Sequence, residues 1–259
     1  HPELAGQLNT LSDGDGALLW LDSDGLPLYA DAHAKTFREA VELLHRNPAL
    51  QQAASLRFLP AVGPLHALML KAKLSAEHGF RPSENDGRPT DYFTVRFHPN
   101  EKGKLQAQIR PLSDGLYPDR PNGLFLHKKA AKRALDAWAR EQQFCPAELN
   151  ILPPGYDRNA PCPVAAVGRC QGQCGNIGEA AQQRQRIETA ARLLPVADWG
   201  KAHQIEICET DTLNGRRLSF HCAGGALQMP DGSWYFDRKL PAVFKEKFRA
   251  HRNDIAVSF

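Results

Sequence analysis

Four of the six cysteines, Cys145, Cys162, Cys170 and Cys174, are spaced C-x16-C-x7-C-x3-C. The stretch that holds them is rich in Gly and Pro and sustains neither a helical nor a strand period. Such a segment offers little apolar surface to bury, and several readings compete for its thiols. Disulfides suit secreted chains that lack a large core, and this chain has one. Structural zinc usually draws on paired C-x2-C knuckles, and only one tight pair is present here. An iron–sulfur cluster accepts four thiolates at irregular spacings. The spacing leaves zinc and iron–sulfur open, with unligated buried thiols as a third reading. Cys208 and Cys222 fall on apolar, strand-like stretches and read as small core residues.

A chain of 259 residues, 42% hydrophobic and 24% charged, can bury a substantial core and exceeds the usual single-domain size. No run approaches eighteen apolar residues, so no membrane partner is expected. No stretch reads as a signal peptide. The chain opens at His1 without a methionine, which points to a segment of a longer polypeptide. A net charge of +3 permits nucleic-acid binding without arguing for it. The local distribution says more. Lys128, Lys129, Lys132, Arg133 and Arg140 face two acids between 128 and 141, and six basic residues, including Lys245, Lys247 and Arg249, face only Glu246 between 238 and 252. Runs like these form either solvated helix faces or surfaces that track phosphates.

GALLWLDSDGLPLYA (16–30) reads as a hairpin turning at Asp22–Gly25. A helix follows over 34–44, then a strand over 55–62 and a helix over 65–78 that ends before Gly79. Beyond the polar joint SENDGRPTD (83–91), strands at 92–97 and 105–109 form a second hairpin. Helices are predicted at 127–144 and 178–194. Strands then alternate from 204 to 236, and a basic helix covers 241–252. Scattered histidines match no metalloprotease or nucleophile-elbow pattern. SDGDG (12–16) lacks the Lys-Ser/Thr of a phosphate loop and is a turn.

The stretches NGLFLHKKAAKRALDAWAREQQFC and PCPVAAVGRCQGQC resemble the UvrC/Cho family of nucleotide-excision-repair endonucleases. That resemblance implies a four-iron four-sulfur cluster on Cys145, Cys162, Cys170 and Cys174, with zinc as the alternative. It extends to the family's GIY-YIG nuclease unit: Gly16-Ala17-Leu18 falls at the first strand, Pro27-Leu28-Tyr29-Ala30-Asp31 at the second, and Ala67-Leu68-Met69-Leu70-Lys71 at the metal-binding helix. The fold class is therefore α+β. It comprises a GIY-YIG-like domain (1–90), a β-hairpin connector (91–121), a helical Cys-cluster region (122–195) and a C-terminal β segment with a basic helix (196–259).

The departures from the family pattern bear directly on activity. The first-strand tyrosine position falls on Leu18, the glycine of the second strand on Asp31, and the helix arginine near Ala40, with Arg38 or Arg46 as possible substitutes. The metal-binding glutamate falls on Lys71. Of the catalytic set only Tyr29 is retained. With an ammonium in place of the carboxylate, magnesium has little reason to bind. Glu77 lies about 240° further round the helix and faces elsewhere. The sequence thus points to a cytoplasmic DNA-binding module of a repair or processing nuclease, without incision activity of its own. Its expected phosphate contacts are Lys128, Lys129, Lys132, Arg133, Lys245, Lys247 and Arg249. The expected partners are DNA and, upstream, a proofreading-type (DnaQ-like) 3′–5′ exonuclease domain. The competing readings are an active structure-specific endonuclease and a protein-interaction scaffold.

Overall fold

The computed structural model describes residues 2–11, 13–33, 36–80, 92–152, 164, 167–168, 180–197, 199, 204–211, 213–250 and 255–258. In chain order the elements begin with α1 (Pro2–Asn9), β1 (Gly16–Leu21), β2 (Pro27–His33) and α2 (Thr36–Arg46). A 3₁₀ turn (Pro48–Gln52), β3 (Ser55–Pro60) and α3 (Pro64–Glu77) follow. Next come β4 (Phe93–Pro99), β5 (Leu105–Pro111), β6 (Gly115–Tyr117), β7 (Asn122–Phe125), α4 (Lys128–Glu141) and α5 (Ala180–Ala190). The last elements are β8 (Gln204–Thr210), β9 (Arg217–Ala223), β10 (Ala226–Gln228), β11 (Trp234–Phe236), α6 (Leu240–Ala250) and β12 (Ile255–Ser258). The α+β class is as read from the sequence. The short α1 and the closing β12 were not predicted.

Where the sequence suggests four consecutive segments, the chain closes into two compact units: 1–89 with 113–120 and 204–258, and 90–112 with 121–203. The first unit holds an antiparallel sheet ordered β2-β1-β3. Its opening turn is tied by Asp22, whose carboxylate accepts from the backbone N–H of Asp24 and Leu26 (2.9 and 2.8 Å). Alternation along β1 sends Leu18 and Trp20 into a core with Leu4, Leu8, Ala40 and Leu56, and Ala17 and Leu19 to the other face with Ala30 and Leu74. Leu18 lies opposite Asp31 in the ladder, and Trp20 opposite Tyr29. The unit's second sheet has six strands, ordered β12-β8-β9-β10-β11-β6. Its edge strand β6 comes from the segment assigned above to the connector, and Tyr117 pairs with Trp234.

The second unit is a β5-β4-β7 sheet with α4 and α5. Ala131, Leu135 and Trp138 on α4 and Ile187 and Ala190 on α5 form the predicted apolar stripes and are buried with Val95, Phe125 and Phe144. Polar contacts help to fix α5 in place. The Trp138 indole donates to the Ala190 carbonyl at 2.8 Å, and the Gln183 side chain pairs with both backbone groups of Leu105. His127 caps α4, its Nδ1 accepting from the Ala130 N–H at 3.0 Å.

Candidate functional site

The position of interest in the first unit is Lys71, on the third turn of α3. Pro64 stands at the start of this helix, where its missing N–H costs nothing. The N–H groups of Leu65 and His66, which have no partner within the helix, are met by the two carboxylate oxygens of Glu209 from β8, at 3.0 and 3.1 Å. A carboxylate here also complements the helix dipole. A Cβ on Gly63 would lie 2.5 Å from the Glu209 carboxyl carbon, so only glycine admits this cap. Lys247 of α6 then pairs with Glu209 at 3.2 Å.

Two turns below that cap, the Lys71 ammonium is buried between two carboxylates. It donates to Asp237 Oδ2 at 2.7 Å and lies 3.2 Å from Asp31 Oδ1. Asp237 is itself held at 2.9 Å by the Tyr235 hydroxyl and at 2.9 Å by the Lys239 N–H. Asp31 takes both oxygens to the Lys239 ammonium (3.1 and 3.2 Å), which donates as well to the Ala32 carbonyl. Asp114 closes the group, receiving the N–H and Nε of Arg238 at 2.9 and 3.2 Å. Three cations thus face three carboxylates.

Burial opposes the charge on Lys71, but the Asp237 and Asp31 carboxylates outweigh it and hold the amine well above its usual range, with smaller contributions from Tyr235 and Tyr29. Burial likewise works against Asp237, yet Lys71 and the hydrogen bonds from Lys71 and Lys239 keep it below the ordinary carboxylate value. Tyr235 is pushed well above its usual value by burial and by Asp237. The ion pair is therefore charged on both sides at neutral pH. Chemically it offers neither a nucleophilic amine nor an unneutralised carboxylate pair for a divalent ion.

The structure brings together three of the positions singled out in the sequence, Tyr29, Asp31 and Lys71, on β2 and α3. Tyr29 is half-buried against the core that holds Trp20. The proposed arginine substitutes stay outside. Arg38 and Arg46 are exposed on α2 and both pair with Glu42, while Ala40 is fully buried. Glu77 is exposed and pairs with Lys73. Lys128, Lys129, Lys132 and Arg133 line an exposed side of α4, and Lys245 and Arg249 are exposed on α6. Lys247 differs from the expectation: its side chain is only 14% exposed and turned inward to Glu209, where it bridges two elements of the core. Of the four cysteines, Cys145 is buried beside Phe144 at the end of the α4 core. Cys162, Cys170 and Cys174 lie outside the described residues. Among the described residues no group of three or more His, Cys, Asp or Glu side chains is placed to hold a metal ion.

Sequence reading missed Asp237, Tyr235, Lys239 and Asp114. Asp237 stands just ahead of α6, where an aspartate reads as an ordinary cap, so no local signal marks it.

Fold and site define an α+β protein with a neutralised ion-pair centre beside its first sheet. Comparison with known proteins supplies the family. Residues 92–193 match the UvrC/Cho excinuclease middle domain. Excinuclease Cho of Escherichia coli K12 is 28% identical over 207 residues, covering 77% of this chain and 68% of that protein. The Cho proteins of Shigella flexneri and E. coli O157:H7 match to the same extent. The chain carries a UvrC/Cho excinuclease middle domain and is similar to Cho over most of its length, which makes it a UvrC/Cho-like, excinuclease-related DNA-repair module. No described helix is long and apolar enough to cross a membrane.

Proposed function

We propose that this chain is the DNA-binding part of a UvrC/Cho-type repair nuclease whose own GIY-YIG site no longer cuts. The observation that carries this reading is the seat of the Lys71 ammonium. Where the family pattern calls for a metal-binding glutamate, a buried cation is already neutralised by Asp31 and Asp237. Incision by a nuclease of this type needs a divalent ion to stabilise the charge developing on the phosphate. A second cation beside Lys71 would be repelled at close range in a poorly solvated site. Tyr29 then has no metal-bound water or polarised phosphate to act on.

DNA is held elsewhere in this reading, by the exposed cations of α4, which lie within the matched middle domain. Four thiolates at Cys145, Cys162, Cys170 and Cys174 suit a four-iron four-sulfur cluster, which would order the segment between α4 and α5 and would not take part in cutting. The buried setting of Cys145 suits that structural role. Incision would come from a partner, such as an exonuclease domain.

The test is titration of duplex DNA, with and without a lesion, in magnesium or manganese. The expected result is binding that weakens steeply with salt, with a slope of about 0.9 per phosphate neutralised. Replacing Lys128, Lys129, Lys132 and Arg133 by Gln should weaken it further, and no nick should appear with either the parent chain or the Tyr29→Phe variant. Specific nicking lost on Tyr29→Phe would refute the reading, and salt-insensitive or absent binding would favour a protein-interaction scaffold.

A further inference from the structure

The C-terminal segment does more than extend the chain. It packs back on the first sheet within one compact unit and contributes the partners that make Lys71 tolerable apart from Asp31 and Tyr29 of β2. Asp237 supplies the counter-charge, Tyr235 orients that carboxylate, and Lys239 neutralises Asp31 from the other side. A second brace lies about two helical turns away, where Glu209 caps α3 and Lys247 holds Glu209. Between the two braces the space left is a pocket of about 130 Å³ lined by Asp15, Ala32, Glu39, Ala67, Leu68 and Lys239. Small-molecule sites begin at about 300 Å³. The pocket lies among the starts of β1 and α3, the end of β2 and the first turn of α2. Those are the elements on which the family resemblance places the nuclease site.

We propose that residues 204–258 are a built-in, permanent cap on the nuclease-type core, locked by exchange of charge: Asp237 of the cap to Lys71 of the core, and Lys239 of the cap to Asp31 of the core. The cap fills the cleft that a phosphodiester would have to enter. It also makes the substitution at position 71 and the docking of the C-terminal segment one linked event, since neither buried charge is stable alone. A movable lid would be built differently, from few apolar contacts and exposed pairs. Here Tyr235, Phe236, Leu240 and Phe244 are all fully buried. The proposal rests on the same ion pairs as the reading above, but its failure is separable. A loosely held cap, seen by exchange, would overturn the proposal and leave a non-cutting protein unchanged, whereas nicking by a chain whose cap stays shut would refute the reading and show that the cap leaves the cleft open.

Hydrogen–deuterium exchange on the whole chain tests it, because slow exchange reports the opening of cooperative units. Asp237→Ala strips the buried ammonium of its nearer carboxylate. It should raise exchange in β1 and in α6 together, by roughly 100-fold. The double variant Lys71→Met with Asp237→Leu removes both charges and should return exchange to within a few-fold of the parent. Unchanged exchange in Asp237→Ala, or a rise confined to α6, would overturn the proposal. Should Asp237→Ala fail to fold, Lys239→Met still decides it. Loss of that outer brace should speed exchange in β2 and α6 together, and no change in β2 would count against the cap.

Discussion

At the scale of single residues the outcome turns on a reversal of charge. A glutamate at position 71 would sit with Asp31 and Asp237 as a third buried carboxylate and would require a bound cation. Lysine supplies that cation from the chain itself, at 2.7 and 3.2 Å. Half of this arrangement was legible in the sequence. Lys71 and Asp31 stand out because both depart from a pattern and carry opposite signs. Asp237 was not, because 166 residues separate it from Lys71 and nothing local marks a partner so distant. A neighbouring carboxyl gives a pH test. Asp15 is raised to about 6, by burial first and then by Glu209, with Lys247 opposing. Its folded form prefers the proton, so its contribution to stability is complete below the unfolded value near 3.8 and is lost as pH rises through about 6. Urea midpoints of the parent should therefore fall between pH 4 and 7 by more than those of Asp15→Asn, which keeps the uncharged form throughout. Equal slopes would show that Asp15 titrates normally.

At the scale of elements, the regular pieces followed from patterns the chain displays openly. α4 and α5 carry apolar residues at helical spacing, and β1 with β2 carries alternation around a turn built by Asp22 and Gly25. What escaped was short or weakly patterned. α1 is eight residues with a glycine inside, which alone predicts little helix; it forms because Leu4 and Leu8 are buried against β1 and β3. α3 was read from its leucines, but its N-terminal cap was not, since Glu209 reaches it from another sheet. Lys247 misled for the same reason: in a basic run it looks like a phosphate contact, and only its distant carboxylate partner turns it inward. The cysteine segment is the element whose expectation comes from the family resemblance, since the thiol spacing leaves zinc and iron–sulfur open. Anaerobically purified protein should be brown and hold about four irons per chain. Colourless protein with one zinc would assign the site to structural zinc instead.

At the scale of the whole molecule, a reading from the N-terminus onward takes segments in sequence, whereas the chain doubles back. Residues 113–120 and 204–258 join the N-terminal unit, and the middle-domain match at 92–193 otherwise falls within the second. Strand pairings such as Tyr117 with Trp234 are long-range and encoded only in the fit of two apolar edges, so no local signal announces them. This division of labour gives the molecule its logic. One unit holds the first sheet, α3 and the C-terminal segment around the Lys71 ion pairs. The other carries the family's middle domain and the exposed basic helix. The proposed loss of cutting depends on the cation seat between Asp31 and Asp237 being filled from within. Electron paramagnetic resonance of manganese added to the intact protein measures this directly. The spectrum should remain that of the free aquo ion at stoichiometric metal. A bound manganese signal that broadens or disappears on Tyr29→Phe or Asp31→Asn would place a metal where the ammonium should be, and would contradict the account.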